Sequence, residues 1–307
     1  MRIRKVLFAT DFSERSEGAL PHALWYAREF EAELHMLHAV VLHADDPANP
    51  DVDFPDLEDA YREVDRWASD RMEATAGRAD EAGAAVKRVE KRGIAAAPVI
   101  LDYAQEESVD LIVLATHGRR GVRRMLLGSV AEEVVRRADR PVLTVRADGE
   151  GKHGEPPRRI LVPVDFSEHA RRALLYGEAL SERTGAELHV VHVLPEMSFP
   201  DPYFAEAAQL RAMAKAAQER VPEALDRNVR EVLGAEVKVH THLEVGSPAG
   251  TIVRVAERED VDHVVLSSHG RTGVERVFLG SVAEGVVRRA PCPVLTVKAF
   301  GRDLLVG

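Results

Sequence analysis

One long motif occurs twice in this 307-residue chain, and the duplication restricts the fold more than any other feature. Residues 111–145 read LIVLATHGRRGVRRMLLGSVAEEVVRRADRPVLTV, and residues 263–297 read HVVLSSHGRTGVERVFLGSVAEGVVRRAPCPVLTV. Earlier segments repeat too. RKVLFATDFSERSEGAL from Arg4 matches RRILVPVDFSEHARRAL from Arg158, and AELHMLHAV from Ala32 matches AELHVVHVL from Ala186. The early matches lie 154 residues apart and the later ones 152, so the first copy is two residues longer in its middle. A period near the usual domain size of about 150 residues means that each copy is a complete domain. ADGEGKHGEPP, Ala147 to Pro157, is rich in Gly, Pro and charge without periodicity and reads as a linker. The expected organisation is therefore a domain over 1–146, a linker over 147–157 and a domain over 158–307.

Within each copy short apolar runs alternate with amphipathic stretches. In the first, KVLFAT reads as a strand and SERSEGALPHALWYAREF as one helix. ELHMLHAV is a second strand, and the acidic run from Leu57 to Gly83 a long helix. After AVKRVEKRG come a helix over PVILDYAQEES, the strand DLIVLA, a helix from about Val130 and the strand PVLTV. Near-continuous Val/Ile/Leu strands alternating with helices indicate a parallel sheet covered on both faces. The expected class is α/β: two tandem Rossmann-like, doubly wound domains of about five strands each.

Composition narrows the functional classes. Apolar residues make up 45% and charged residues 30%, ordinary for a chain that buries a core. No apolar run approaches the roughly 18 residues that a membrane span needs. MRIRKVLFATDF places basic residues before a short apolar run, but Asp11 cuts that run, so a first strand is expected rather than a signal peptide. The single cysteine, Cys292, cannot form an internal disulfide and reads as a small buried thiol, which suits a reducing cytoplasm. A formal net charge of −10 argues against non-specific nucleic-acid binding. The local arginines then need a smaller anionic partner, or none.

In doubly wound sheets, ligands bind outside the carboxyl ends of the strands. LIVLA ends at Ala115, so THGRRG lies in that crevice, where Gly118 and Gly121 permit tight turning and close backbone approach. Ser129 reads as the N-cap of the following helix, whose free amides and positive dipole end suit an anion, phosphate above all. Arg119, Arg120, Arg123 and Arg124 add charge. The same residues are equally accounted for by a turn and a helix cap. Asp11 and Asp165, just past the first strand of each copy, either hydrogen-bond a ribose or base, or cap the next helix. Ser13 and Ser167 are the better cap candidates, and His38 and His192 read as satisfied strand-end residues.

With these residues in view, the chain resembles a tandem member of the universal stress protein family over nearly all of both halves. That family's nucleotide-binding signature is Gly-x2-Gly-x9-Gly-Ser/Thr. ATHG, nine residues and Gly128-Ser129 reproduce it with Ala115 in the first glycine's place, and SSHG with Gly280-Ser281 does so with Ser267 there. The resemblance implies the adenine-nucleotide alpha-hydrolase-like fold and ATP, or ADP or AMP, with Mg2+ accompanying a triphosphate. It implies phosphates on Gly118, Gly128, Ser129 and Val130 and the base near Ala9, Thr10, Asp11 and Ala39. The matching second-copy positions are Gly270, Gly280, Ser281 and Val282, with Pro163, Val164, Asp165 and Val193. His117, Arg119 and Arg120, and His269 and Arg271, belong to the same loops. Ala115 and Ser267 each add a Cβ near the ribose and first phosphate, an intrusion expected to reshape binding.

No catalytic set stands out. The sequence has no Gly-x4-Gly-Lys-Ser/Thr loop and no Gly-x-Ser-x-Gly elbow, so at most slow ATP hydrolysis is expected. HTH at His240 to His242 puts two imidazoles on one face of a strand, but with no third ligand nearby it reads as surface histidine rather than a metal site. The apolar last strands, RPVLTV and CPVLTV, invite pairing into an internal pseudo-dimer of the halves or a homodimer. The Pro-rich stretches His43 to Asp56 and Pro195 to Phe204 leave at the crevice end and read as covers or as plain surface connections. The other class of function that fits is a nucleotide-independent interaction module.

Overall fold

The structure, a computed structural model, describes residues 1–41, 57–81, 85–116, 127–146, 154–196, 205–268, 279–298 and 301–305; of 57–61, 80–81 and 205–218 only the backbone is described. The chain forms two compact units, Met1–Pro156 with Phe300–Gly307, and Pro157–Ala299.

The first unit runs β1 (Lys5–Ala9), α1 (Glu14–Glu17), α2 (Leu20–Glu29), β2 (Glu33–Val41), α3 (Leu57–Glu81), β3 (Val86–Gly93), α4 (Ala96–Glu106), β4 (Leu111–Ala115), α5 (Ser129–Arg137) and β5 (Val142–Val145). Its strands lie in the order β3-β2-β1-β4-β5, and every pair is parallel. The second unit runs β6 (Arg159–Pro163), α6 (Glu168–Thr184), β7 (Glu187–Leu194), α7 (Ala205–Leu233), β8 (Val239–Val245), α8 (Pro248–Arg258), β9 (His263–Ser267), α9 (Ser281–Arg289) and β10 (Val294–Val297). The order β8-β7-β6-β9-β10, again all parallel, repeats the first.

Burial follows strand position. All five residues of β4 are buried, as are all four of β5 and β10, because helices cover both faces. β3, VKRVEKRG, alternates half-buried and exposed residues and presents Lys and Arg, which blunts an edge strand against stray pairing. The expected single helix after β1 is split. Pro21 has no N–H to donate to Glu17 O, so α1 stops and Pro21 sits in the first turn of α2. The second copy has Leu175 at the matching position, and α6 runs unbroken for 17 residues.

Both units fasten their central strands at the amino-terminal end in the same way. Asp110 Oδ2 accepts the backbone N–H groups of Arg4 (2.7 Å) and Lys5 (3.0 Å), and Asp262 Oδ2 accepts those of Arg158 (2.8 Å) and Arg159 (3.0 Å). The Asp110 carboxylate also pairs with the Arg302 guanidinium. The Arg302 N–H bonds Asp139 O at 2.8 Å, and Leu304 O accepts from Arg2 N–H at 2.7 Å with its side chain buried, so the chain's last described residues pack within the first unit.

Two stability predictions follow from this packing. Asp110 is 3% exposed, and its removal strands two backbone donors and a cation. Asp110→Ala is expected to cost roughly 3 kcal/mol, read from the urea midpoint, since hydrogen bonds to charged groups contribute about 1.5–3 kcal/mol. The second concerns His263, wholly buried at the start of β9 where the first copy has Leu111. Its Nδ1–H donates to Asp262 O at 2.9 Å, and burial pushes its pKa down to about 4. The unfolded imidazole, near 6.5, therefore binds protons that the folded one refuses. His263 leaves stability intact above about pH 6.5 and erodes it as pH falls toward 4, by up to about 3 kcal/mol. Denaturation curves between pH 7 and 4.5 should show this loss in the wild type and a flatter dependence in His263→Leu.

Candidate functional site

Each sheet has a point where the strand order reverses, between β1 and β4 in the first unit and between β6 and β9 in the second. The chains leaving these neighbouring strands diverge to opposite faces and open a crevice at the carboxyl ends. In the first unit the ladder between β1 and β4 ends at Phe8 and Val113, and Thr10 and Ala115 lie two residues beyond it. Ala39, in β2, lies two residues past Leu37, the partner of Ala9. Pro163 pairs with Val191, two residues before Val193, in the second. The side chains of Ala9, Thr10, Ala115 and Val164 are buried, whereas Asp11, Ala39, Asp165, Pro163, Val193 and Ser267 are half-buried.

The loop after the first strand is built alike in both units. Phe12 (φ 59°) and Phe166 (φ 64°) occupy the left-handed region, which costs a bulky residue on the order of 1–3 kcal/mol. Two contacts hold each turn in place. His38 Nδ1–H donates to Thr10 O and His192 Nδ1–H to Val164 O, both at 2.8 Å. The phenyl rings of Phe12 and Phe166 pack on the same imidazoles, with centroids 4.6 and 4.5 Å apart. Asp11 Oδ1 accepts from Ser13 N–H (3.0 Å) and Oγ–H (2.6 Å), and Asp165 Oδ1 from Ser167 N–H (3.0 Å) and Oγ–H (2.5 Å). The serine oxygens in turn accept the N–H of Ser16 and of Ala170, both at 3.1 Å. Ser13 and Ser167 are thus the N-caps of α1 and α6. The aspartates hold the caps in place with one carboxylate oxygen.

Across the crevice stands the start of α5, or of α9. Here the structure corrects the sequence expectation: the N-caps are Gly128 and Gly280, and Ser129 and Ser281 are the first helical residues. Neither cap glycine supplies a side-chain hydrogen bond, so no side chain of the cap covers the first-turn amides. Gly128 (φ −64°, ψ 141°) and Gly280 (φ −60°, ψ 141°) have backbone angles open to any residue. What glycine supplies is the missing Cβ. Gly128 N–H donates to Thr116 O at 2.8 Å, and Gly280 N–H to Ser268 O at 2.9 Å, tying each helix start to the residue just past β4 or β9. Ser129, Val130, Ser281 and Val282 are exposed, the two valines at 36% and 38%. Glu132 and Glu284 also lie in the first turns, where they favour the helix dipole.

The topology thus sets Ala9, Thr10, Asp11 and Ala39 around the same crevice as Ala115, Gly128, Ser129 and Val130. It does the same for Pro163, Val164, Asp165 and Val193 with Ser267, Gly280, Ser281 and Val282. His117, Gly118, Arg119, Arg120, Gly121, Arg123 and Arg124, and His269, Gly270 and Arg271, lie outside the described residues, as do all of His43 to Asp56 and all but the first two residues of Pro195 to Phe204. Sequence reasoning overlooked Phe12, Phe166, Thr116 and Ser268. Only the repetition of DFS after both first strands hinted at a shared turn there.

Comparison with known proteins agrees with the duplication. The model of the Universal stress protein family matches residues 2–146 and again 157–298. A universal stress protein of Mycolicibacterium smegmatis is 24% identical over 308 residues, covering 95% of this chain and 96% of its own length. One from Methanocaldococcus jannaschii is 32% identical over 141 residues, 46% of this chain and 82% of the relative. Among solved structures, a universal stress protein from Archaeoglobus fulgidus is 27% identical with a TM-score of 0.71, and 98% of each chain is covered.

The cap geometry yields a prediction separate from any ligand. Ser167→Ala removes the acceptor for Ala170 N–H and the donor to Asp165, and is expected to cost about 1 kcal/mol in urea denaturation. Asp165→Asn keeps an oxygen acceptor for Ser167 and should cost less than Ser167→Ala.

Proposed function

The chain belongs to the universal stress protein family, with its domain in tandem, and from that premise we propose that it binds an adenine nucleotide in the crevice of one or both units. ATP is the first choice, with Mg2+ alongside a triphosphate, and the bound state acts as a switch or sensor in a stress response. The observation that carries this reading is the start of α5 and of α9: a glycine N-cap with no side-chain cap, its backbone unstrained, placed by the topology at the same end of the sheet as the turn that holds Asp11 or Asp165. Helix amides left without a cap are anion receptors, and a phosphate satisfies their N–H groups and the dipole together. Ser129, Val130, Ser281 and Val282 would carry those amides and hydroxyls.

The base and ribose fall to the other side. Ala9, Thr10, Asp11 and Ala39, with Pro163, Val164, Asp165 and Val193 in the second copy, give apolar contact and backbone edges. Oδ1 of each aspartate holds the local turn, and on this reading the carboxylates also border the ribose or base. The residues singled out, Asp11, Asp165, His38 and His192, hold turns and caps, which fits binding or slow hydrolysis better than fast turnover. Among the described residues no helix is long and apolar enough to cross a membrane. A cytoplasmic location, and assembly as a pseudo-dimer of the halves or a homodimer, belong to the same reading; sedimentation velocity measures the assembly.

The test is calorimetric titration of nucleotide-free full-length protein with ATP, beside Gly128→Glu, Gly280→Glu and the double variant. The backbone angles at both positions admit a side chain, so the variants should fold. A carboxylate about 4 Å from a phosphate at an effective dielectric near 20 costs on the order of 4 kcal/mol, nearly a thousandfold in affinity. Each single variant should lose one site if both units bind, and the double variant should lose all binding. Absence of wild-type binding at millimolar ATP, or equal binding by the folded double variant, would replace this reading with the nucleotide-independent interaction module.

A further inference from the structure

At the other end of the second unit's strands lies a group of side chains that the crevice does not use. Glu187 and His189 begin β7, His240 and His242 begin β8, and Glu259 follows the end of α8. His189 pairs in register with His240, and Val191 with His242, so the three imidazoles share one face of the sheet. Residues 51 or more apart in sequence are thereby brought into contact. The His189 ring lies 4.9 Å from that of His240 and stacks within 9° on that of His242 at 5.2 Å, centroid to centroid. The ligand atoms of Glu187, His189 and His240 all lie within 4.8 Å of one another.

The hydrogen bonds divide the two nitrogens of His189 between different roles. Nδ1 is 3.0 Å from His242 Nε2, and His242 Nδ1 lies 3.5 Å from the Arg258 guanidinium and 3.9 Å from Glu259 Oε1. Nε2 is buried and has no hydrogen-bond partner, although His189 as a residue is only 5% exposed. The carboxylate oxygen Glu187 Oε2 stands 3.7 Å away. That separation is too long for a hydrogen bond but close to the roughly 3.4 Å between neighbouring ligands around a tetrahedral ion with bonds near 2.0–2.1 Å.

The first unit shows what this place looks like when a protein group fills it. Glu33 and His35 match Glu187 and His189. There His35 Nδ1 bonds the Tyr103 hydroxyl at 2.8 Å and Nε2 lies 3.4 Å from Glu33 Oε2. Lys87, in register with His35, brings an ammonium group that bonds Glu107 at 3.1 Å. In the second unit Lys87 becomes His240, Val89 becomes His242 and Tyr103 becomes Val255, while the carboxylates stay as Glu187 and Glu259. A cation and a phenol have been exchanged for two imidazoles.

We propose that Glu187, His189 and His240 bind a divalent transition-metal ion, zinc by preference, through a Glu187 carboxylate oxygen, His189 Nε2 and a ring nitrogen of His240. Two nitrogens and one carboxylate oxygen suit zinc, and water completes a four-coordinate site. His242 acts as a positioning residue through the 3.0 Å contact of its Nε2 with His189 Nδ1: metal binding requires the shared proton on His189 Nδ1, which leaves Nε2 as the ligand atom. A metal ion takes the neutral imidazole of each histidine ligand. The ion competes with Arg159, whose Nε lies 3.4 Å from Glu187 Oε2. Its structural effect would be to clamp the edge strand β8 to β7.

The experiment uses tag-free full-length protein stripped with chelator and titrated with Co2+, then Zn2+. One equivalent of cobalt should give the intense visible absorption of a four-coordinate ion, zinc should displace it, and zinc should raise the melting temperature. Glu187 and His240 are exposed, so Glu187→Gln with His240→Ala should fold and lose the cobalt band. His242→Ala, which touches no metal, is expected to weaken zinc about 10- to 100-fold, as removal of an orienting partner does. Glu33→Gln with Lys87→Ala, at the matching place in the first unit, should leave the titration unchanged. The chain has 13 histidines, so adventitious binding is the competing explanation. No four-coordinate cobalt spectrum, or equal binding by the Glu187/His240 double variant, overturns the proposal, and neither result bears on nucleotide binding in the crevice.

Discussion

Parallel strand pairing is the constraint on which both units depend. A parallel pair cannot be closed by a tight turn, so each strand must be followed by a crossover, and the crossovers carry helices across the sheet faces. The central strands then have no wet face. β4 is wholly buried, and β1 and β6 are buried but for their ends. Polar chemistry is thus driven out of the sheet to the strand ends. At the amino-terminal ends it serves fastening, through Asp110 and Asp262 on backbone amides. At the carboxyl ends the order reversal opens a crevice, and there the chain places its aspartates, its left-handed phenylalanines and its glycine-capped helices.

What could be read from sequence follows the same division. KVLFA, LIVLA and VLTV were legible as strands because double burial leaves no alternative to continuous apolar residues. The split between α1 and α2 was not, since the apolar spacing continues through Pro21 and only the missing N–H decides. The Gly-Ser step misled in a different way. Serine outranks glycine as a cap in general, yet here Ser129 and Ser281 enter the helix and glycine takes the cap position. The crevice could be located from motif spacing, but the turn geometry of Phe12 and Phe166 could not, since neither residue type predicts a positive φ. His189 was invisible as a partner of His240 and His242 for a topological reason. Nothing local says that β7 lies beside β8, and without that adjacency two histidines on one strand are a surface pair.

The duplication also works as an internal comparison. Both copies keep the aspartate–serine cap, the histidine-to-carbonyl bond beneath the strained turn and the aspartate on the backbone amides. They differ at Lys87 and His240, at Tyr103 and Val255, at Leu111 and His263, and at Thr10 and Val164. The shared features fix the geometry of the crevice, which needs both its walls held at once. The differences fall at both ends of the strands: Lys87 and Leu111 with their counterparts lie toward the amino-terminal end, Tyr103 and Val255 lie on helices, and Thr10 and Val164 line the crevice. One fold can therefore repeat the same turn and cap geometry while side chains elsewhere change.

The glycine caps show why stability alone does not account for the crevice. Serine, threonine, asparagine and aspartate at an N-cap are worth about 1 kcal/mol over alanine, and glycine gives up only a few tenths of that advantage. Both units use the good capping residue where a helix start serves only the fold, at Ser13 and Ser167. Both use glycine at α5 and α9, where the backbone angles would accept any residue. A side-chain cap there would spend the first-turn amides on an internal oxygen and fill the space in front of them. The fold loses little by leaving those amides without a side-chain cap, and under the proposed function an anion would gain two things that serine would deny it: donors no cap engages and room to reach them.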